Sequence, residues 1–237
     1  LGYPIFFKEN CMHKIYGNYP ANYQIQTTPC RGVQKGCSKS LATVNETLYY
    51  KSRNAICSYD GSLPVEISSA LGDVNYSEAA AGALGNKYYI SMMDDSGKYH
   101  LFVCDTSKGM WHREDNTQAV EFCNNRGNLY YIDYDYKQIK TVRGADEELV
   151  EWEAISGVIG TDSPDKKYIS RMAIRLSLDP GAHVSFFAEY DSSGEWVLLY
   201  AKEGISLQSF TIPLRTRRCD HLRLKIVGKG NVKIYSI

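Results

Sequence analysis

An aromatic pair recurs four times in the first two thirds of this 237-residue chain. The pairs are Phe6–Phe7, Tyr49–Tyr50, Tyr88–Tyr89 and Tyr130–Tyr131, and their first members lie 43, 39 and 42 residues apart. A repeat of about 40 to 50 residues is typical of the four-stranded blades of β-propellers. With 19 tyrosines and 19 glycines, the composition favours strands and tight turns over helices. The spacing therefore predicts an all-β repeat domain of the propeller type.

The sequence around each pair has the same order. A strand-like run follows each pair: 12–16, 55–59, 100–104 and 138–142. Small and apolar residues precede three of the aromatic pairs, at 41–44, 79–84 and 119–123. Small residues suit the crowded innermost strand of a blade. A plain antiparallel meander, with aromatic pairs packed inside a sandwich, is the alternative. About three and a half blades are present, whereas propellers have about four to eight, so we expect a partial propeller, with missing blades before Leu1 or in another chain.

The pattern changes after Gly144, and strict alternation of apolar and polar residues begins. Alternation with a period of two indicates half-buried strands. It is clearest at Met172, Ile174, Leu176 and Leu178, at Val184, Phe186, Ala188 and Tyr190, at Trp196, Leu198 and Tyr200, and at Phe210, Ile212 and Leu214. We therefore predict a β-propeller-like repeat domain at 1–146 and an antiparallel β-sandwich or jelly roll at 147–237.

The charge and the cysteine content limit the kinds of partner and the redox compartment that suit this chain. The chain has 27 Lys and Arg against 27 Asp and Glu, which argues against a nucleic-acid partner or an anionic membrane surface. No apolar stretch is long enough to span a membrane. Seven cysteines, an odd number without metal-ligand spacing, predict free thiols in a reducing compartment. Two glycosylation sequons, at Asn45 and Asn75, instead favour the oxidising environment of a secreted protein.

We find no catalytic signature and no cofactor or metal motif, so the chain is predicted not to be an enzyme. Two pairs of carboxylates, Asp94 with Asp95 and Asp133 with Asp135, have the residue type that a glycosidase needs. Their setting is that of β-turns, where aspartate accepts backbone hydrogen bonds. We therefore predict that these four aspartates do not meet around one cleft.

The densest basic segment of the chain is at 215–221. Arg215, Arg217, Arg218 and His221 are the candidate partner-binding residues, because arginine binds carboxylates and phosphates in a forked geometry. The alternative is a solvated strand edge, whose charges oppose aggregation.

The order of a tyrosine-rich repeat and a short sandwich, with the closing segments 217–225 and 228–237, resembles virion proteins encoded by phages and prophages of gut Firmicutes. The likeness is strongest over 167–237. The repeats resemble the propellers of head-to-tail stabilisation proteins in short-tailed phages. This resemblance implies a non-enzymatic structural protein that is assembled in the bacterial host cytoplasm, binds other virion proteins and has no catalytic residues. Association with further copies of the chain stays open.

A carbohydrate-binding or glycan-processing protein is the alternative function. A propeller with an attached sandwich also describes many sugar-active proteins, and Leu222–Leu224 with Gly228 is similar to the last strands of galactose-binding-like modules.

Overall fold

The computed structural model describes residues 3–144, 149–162, 165–204 and 208–237, and it leaves the side chains of 169–170, 208–210 and 213–217 undescribed. The chain separates into two compact units, Leu1–Ala145 and Asp146–Ile237, whereas the sequence placed the boundary between residues 146 and 147. Both units are built of antiparallel β-sheets. No helix among the described residues is long and apolar enough to cross a membrane.

The first unit is a succession of four antiparallel sheets, each formed by strands that follow one another in the chain. The first sheet contains β1 (Ile5–Phe7), β2 (Cys11–Tyr16) and β3 (Gln24–Pro29). The second contains β4 (Ala42–Val44), β5 (Thr47–Lys51), β6 (Ile56–Tyr59) and β7 (Val65–Glu66). The third contains β8 (Tyr76–Leu84), β9 (Lys87–Asp94), β10 (Tyr99–Asp105) and β11 (Met110–Asp115), and the fourth contains β12 (Ala119–Asn125), β13 (Asn128–Asp133) and β14 (Gln138–Thr141). Short 3-10 turns lie at Pro20–Asn22, Ser38–Ser40 and Ser69–Leu71.

This succession is propeller-like, and it confirms the repeat. Tyr49, Tyr88 and Tyr130 lie on β5, β9 and β13, which are the second strands of their sheets. The small-residue runs form the strands before them, β4, β8 and β12, and the second apolar runs form β2, β6, β10 and β14. A shared sequence period therefore corresponds to a shared position in the sheet.

Each aromatic pair supplies one ring to either face of its sheet, because successive residues of a strand point in opposite directions. In the second sheet, the ring of Tyr50 lies 4.9 Å from that of Phe7 in the first sheet. The ring of Tyr49 lies 5.4 Å from that of Tyr88 in the third sheet. Tyr89 then packs in the cluster that the third sheet forms with the fourth. The pairs thus fill the three interfaces between successive sheets.

The small residues of β8 allow neighbouring sheets to approach closely. This strand contacts both β4 and β12. A Cβ atom built on Gly82 would lie 2.7 Å from Cβ of Phe122 and 2.7 Å from Cδ1 of Leu129. A larger side chain has no room at this position.

The second unit contains two antiparallel sheets. Its strands are β15 (Glu151–Ile155), β16 (Lys167–Leu178), β17 (His183–Tyr190), β18 (Val197–Glu203), β19 (Gln208–Cys219), β20 (Leu222–Lys229) and β21 (Val232–Ser236). One sheet has the order β15-β20-β17-β18 and the other has the order β19-β16-β21. Alternate residues of β16 and β17, among them Leu176 and Phe186, form the core between the two sheets, so that the unit is a β-sandwich.

The predicted alternation is correct along β16 and β17, and it is wrong at one residue of β18. The side chain of Leu198 is 53% exposed, and Leu199 packs against the core instead. The cause is a register shift, since Phe186 pairs with Tyr200 and Phe187 with Leu198, which leaves one extra residue on β18. Such a bulge exchanges the faces of the residues beyond it. Of the three residues predicted to alternate on β19, Ile212 is buried, and the side chains of Phe210 and Leu214 lie outside the described part of the chain.

Candidate interaction surfaces

The predicted basic segment lies on β19 and the connection that follows it. The order β19-β16-β21 makes β19 an edge strand of its sheet among the described strands. Arg218 is exposed, and the side chains of Arg215 and Arg217 lie outside the described part of the chain. Nε2 of His221 lies 2.8 Å from Oγ of Ser192, and its Nδ1 lies 3.1 Å from Oδ2 of Asp220. Both ring nitrogens of His221 are therefore engaged within the chain.

The side chain of Ser192 contacts His221, which in turn contacts Asp220. A serine nucleophile, its base and an orienting carboxylate make the same succession of contacts. Ser192 lies in a turn at the start of the connection between β17 and β18, where its φ is 51° and that of Asp191 is 54°. Oδ1 of Asp191 accepts a hydrogen bond of 2.7 Å from the backbone N–H of Asp220. These contacts join the hairpin turn to the β19–β20 connection, 29 residues away in the sequence.

An oxyanion needs free backbone donors beside the serine, and three neighbouring N–H groups, those of Asp191, Ser193 and Gly194, are engaged. The N–H of Ser193 donates to the carbonyl of Tyr190, and the N–H of Asp191 donates to the carbonyl of His221. The N–H of Gly194 donates to Oε1 of Glu189. These hydrogen bonds hold the turn in place.

The predicted turn aspartates are held by their own turns. Oδ1 of Asp94 accepts hydrogen bonds from the N–H groups of Ser96 and Lys98, and its Oδ2 lies 2.8 Å from Nε2 of His100. The hydrogen bonds from Ser96 and His100 lower the pKa of Asp94. Oδ1 of Asp133, in the fourth sheet, accepts from two backbone N–H groups of its own turn, as predicted for a hairpin turn.

Asp133 also forms an ion pair, in which Nζ of Lys140 lies 2.8 Å from its Oδ2. Burial raises the pKa of Asp133, but the hydrogen bonds from Lys140 and from the turn outweigh burial, so the pKa lies below its ordinary value. No disulfide bond joins any of the seven cysteines, in agreement with the thiols that the sequence predicts. No group of three or more histidine, cysteine, aspartate and glutamate side chains in the described ranges could hold a metal ion.

An open depression of about 480 Å³ lies on the third sheet and is lined by aromatic side chains. We call it the third-sheet depression and define it by Tyr76, Phe102, Trp111, His100 and Arg113. The rings of Tyr76 and Phe102 meet edge to face at 5.4 Å. Nε1 of Trp111 donates a hydrogen bond of 2.7 Å to the carbonyl of Ile67, which fixes the indole ring. Sequence reasoning missed this site because Tyr76 and Trp111 come from opposite edges of a four-stranded sheet.

The two terminal sheets of the first unit each expose an apolar face. On the first sheet, Phe6 is 56% exposed and Ile25 is 68% exposed, and Ile25 pairs with Ile15. On the fourth sheet, Ile132 pairs with Ile139, which is 74% exposed. We call these surfaces the first outer face (Phe6, Ile15 and Ile25) and the fourth outer face (Tyr130, Ile132 and Ile139). They are the faces of the stack on which no further described sheet of the first unit packs.

No protein-family model matches the chain, and no curated protein matches it. Among solved structures, the chain is similar to the exo-beta-1,3-galactanase of Phanerochaete chrysosporium in complex with galactose, at 7% identity and a TM-score of 0.31, over 95% of this chain and 75% of that chain. Two variants of the same enzyme, crystallised with beta-1,3-galactotriose, match at 8% identity and the same TM-score, 0.31. A likeness at this level supports no conclusion about function.

Proposed function

We propose that the chain is a non-enzymatic structural protein, a component of a bacteriophage virion, and that it acts by binding neighbouring virion proteins through the first and fourth outer faces. The observation that carries the binding role is the exposure of apolar side chains on both faces. The virion assignment rests on the sequence resemblance, which also implies assembly in the cytoplasm of the bacterial host.

The repeat itself supports a binding role for these faces. In the second and third sheets, both rings of the aromatic pair are buried, with Tyr49, Tyr50, Tyr88 and Tyr89 between 0% and 9% exposed. In the first sheet, Phe7 packs against Tyr50, whereas Phe6 on the other face is exposed. The first sheet thus carries the side chains of a sheet-to-sheet interface on a face against which no other described sheet of the first unit packs.

The energetic gain from covering the outer faces is substantial. Full burial of an isoleucine or phenylalanine side chain stabilises by about 1.5–3 kcal/mol, and contiguous exposed apolar surface on a soluble protein typically marks an interaction site. Ile25 and Ile139 each expose more than two thirds of their surface. The partner that fits best is a β-sheet of a neighbouring protein, because flat sheet faces pack on one another at about 10 Å.

The identity of the neighbouring genes tests the virion assignment. We expect genes for portal, capsid or tail proteins beside the gene for this chain. Genes for polysaccharide uptake or degradation in their place would contradict the assignment.

The third-sheet depression favours carbohydrate binding as a second candidate function. Aromatic rings and a few polar groups line many sugar sites, and Arg113 is exposed at this depression. A glycan array separates the two functions. A structural protein shows no ordered sugar preference, whereas a carbohydrate-binding protein shows one that is lost in Arg113→Ala and kept in a variant of the fourth outer face, Ile139→Ser.

A further inference from the structure

We infer that the outward face of the β19-β16-β21 sheet binds an acidic protein surface. We call this surface the basic face and define it by Arg171, Arg175 and Lys233. The inference goes beyond the proposed function, because it concerns the second unit and a different kind of contact, and it does not depend on the outer faces of the first unit.

The strand pattern places the three cations on one face. On β16, Met172, Ile174 and Leu176 point into the core of the sandwich, so the odd-numbered residues Arg171 and Arg175 point outward. Both arginines are exposed. They are four residues apart on one strand, which corresponds to about 13 Å.

Lys233 extends the same face across the neighbouring strand. On β21, Val232 and Ile234 pack against the core, which turns the side chain of Lys233 outward, and Lys233 is exposed. It pairs with Ser177 of β16, two residues beyond Arg175 and on the same side of the strand. The three cations therefore outline a broad surface rather than a single point.

Within the described part of the chain these cations have no ion-pair partner, in contrast to those of the opposite sheet. There, each cation of β20 forms an ion pair with a glutamate: Arg223 with Glu189 at 3.3 Å, Lys225 with Glu153 at 3.9 Å and Lys229 with Glu151 at 3.5 Å. Among the described residues, no ion pair involves Arg171, Arg175 or Lys233. Asp179, which follows β16, accepts a hydrogen bond from Nδ2 of Asn231 instead.

Protection of a sheet edge does not explain the basic face. Charged side chains on edge strands oppose aggregation, but β16 is the central strand, paired with β19 on one side and with β21 on the other. Two arginines on a central strand have no free edge to protect. An anionic partner that covers the face accounts for both their position and the lack of counter-charges among the described side chains.

An acidic protein fits this face better than a nucleic acid does. Arginine binds carboxylates and phosphates alike through two parallel hydrogen bonds, so the number of cations on the face distinguishes the two kinds of partner. Proteins that bind nucleic acids neutralise many phosphates, often about 6–10. The basic face has three described cations, and the chain has a net charge of zero, which gives no general attraction for a polyanion.

The test compares two charge-matched double variants of the full chain, Arg171→Gln with Arg175→Gln and Lys225→Gln with Lys229→Gln. All four positions lie outside the core cluster of the sandwich, and circular dichroism verifies that each variant is folded. The probe is a fluorescein-labelled peptide of ten glutamates, followed by fluorescence anisotropy. A single-stranded DNA oligonucleotide of equal charge serves as the second probe.

We expect the glutamate peptide to bind the wild-type chain and to bind the Arg171 and Arg175 variant about five- to tenfold more weakly. Binding weakens as salt rises, because screening shortens the range of the interaction from about 10 Å at 0.1 M to about 3 Å at 1 M. The control variant keeps wild-type affinity. Absence of peptide binding, an equal loss in the control variant, or tighter binding of the DNA than of the peptide would each overturn the inference.

Discussion

The substitution Gly82→Ala tests how closely the third and fourth sheets of the first unit pack. An alanine at this position would place its Cβ 2.7 Å from Cβ of Phe122 and 2.7 Å from Cδ1 of Leu129, against an ordinary carbon–carbon separation of about 3.5–4.0 Å. The end of the leucine side chain can rotate away. Cβ of Phe122 is fixed to the backbone of β12, so the relief requires the two sheets to separate.

The expected cost follows from two opposing effects. Overpacking by a single methyl group in a dense core costs about 1–3 kcal/mol. Replacing glycine by alanine also restricts the unfolded chain, which stabilises by about 0.4–1 kcal/mol where the backbone is compatible. We therefore expect Gly82→Ala to lower the free energy of unfolding of the first unit by about 1–2 kcal/mol.

The assay is urea unfolding followed by tryptophan fluorescence in a background that carries Trp152→Phe and Trp196→Phe. Trp111 is then the only tryptophan, and it reports on the first unit. The control is Gly157→Ala, where a Cβ meets no atom within 4 Å, and it leaves the Trp111 transition unchanged. A Gly82→Ala protein that is as stable as the background, or more stable, would refute the close approach of β8 to β12.

Three further predictions concern single groups. Tyr88→Phe removes the hydroxyl that donates a hydrogen bond of 2.8 Å to the buried carbonyl of Ser40. We expect the free energy of unfolding in urea to fall by about 1–2 kcal/mol, whereas an unchanged value would mean that the carbonyl finds another donor. The hydrogen bonds from its neighbours hold the pKa of Asp94 below its ordinary value of 3.8, so the carboxylate stabilises the fold above about pH 4 and loses this effect as the pH falls further. Asp94→Asn should thus lower Tm at pH 7, with a difference from wild type that narrows below about pH 4; a difference independent of pH would contradict this. In the native protein a thiol reagent should modify the exposed Cys123 first, since burial raises the pKa of Cys37, Cys57 and Cys104. In denaturant it should modify all seven cysteines; fewer than seven reactive thiols there would contradict the prediction of free thiols.

The sequence predicts most of the strands because their signals are local. The aromatic pairs mark β5, β9 and β13, and the alternation marks β16 and β17, since each depends on the period-two geometry of a single strand. The face of Leu198 could not be predicted, because the bulge that turns it outward depends on how β18 pairs with β17.

The candidate sites depend on contacts between distant segments, so most of them could not be predicted from local sequence patterns. Ser192 meets His221 across 29 residues, and nothing in either local sequence indicates the other. The basic face is an intermediate case. Arg171 and Arg175 share a side of one predicted strand, which the sequence shows, but the order of the strands was needed to add Lys233 and to reveal that β16 is not an edge.

The central claim is that the first and fourth outer faces are binding surfaces for neighbouring virion proteins. Hydroxyl-radical footprinting tests it most directly, by comparing the purified chain with phage particles prepared from a host that carries its gene. We predict that oxidation of Phe6, Ile25 and Ile139 is strong in the purified chain and falls in the particle, while Tyr136, which is 68% exposed in the turn after β13, serves as an internal reference. Equal oxidation of the three residues in both samples, or absence of the chain from the particles, would contradict the claim.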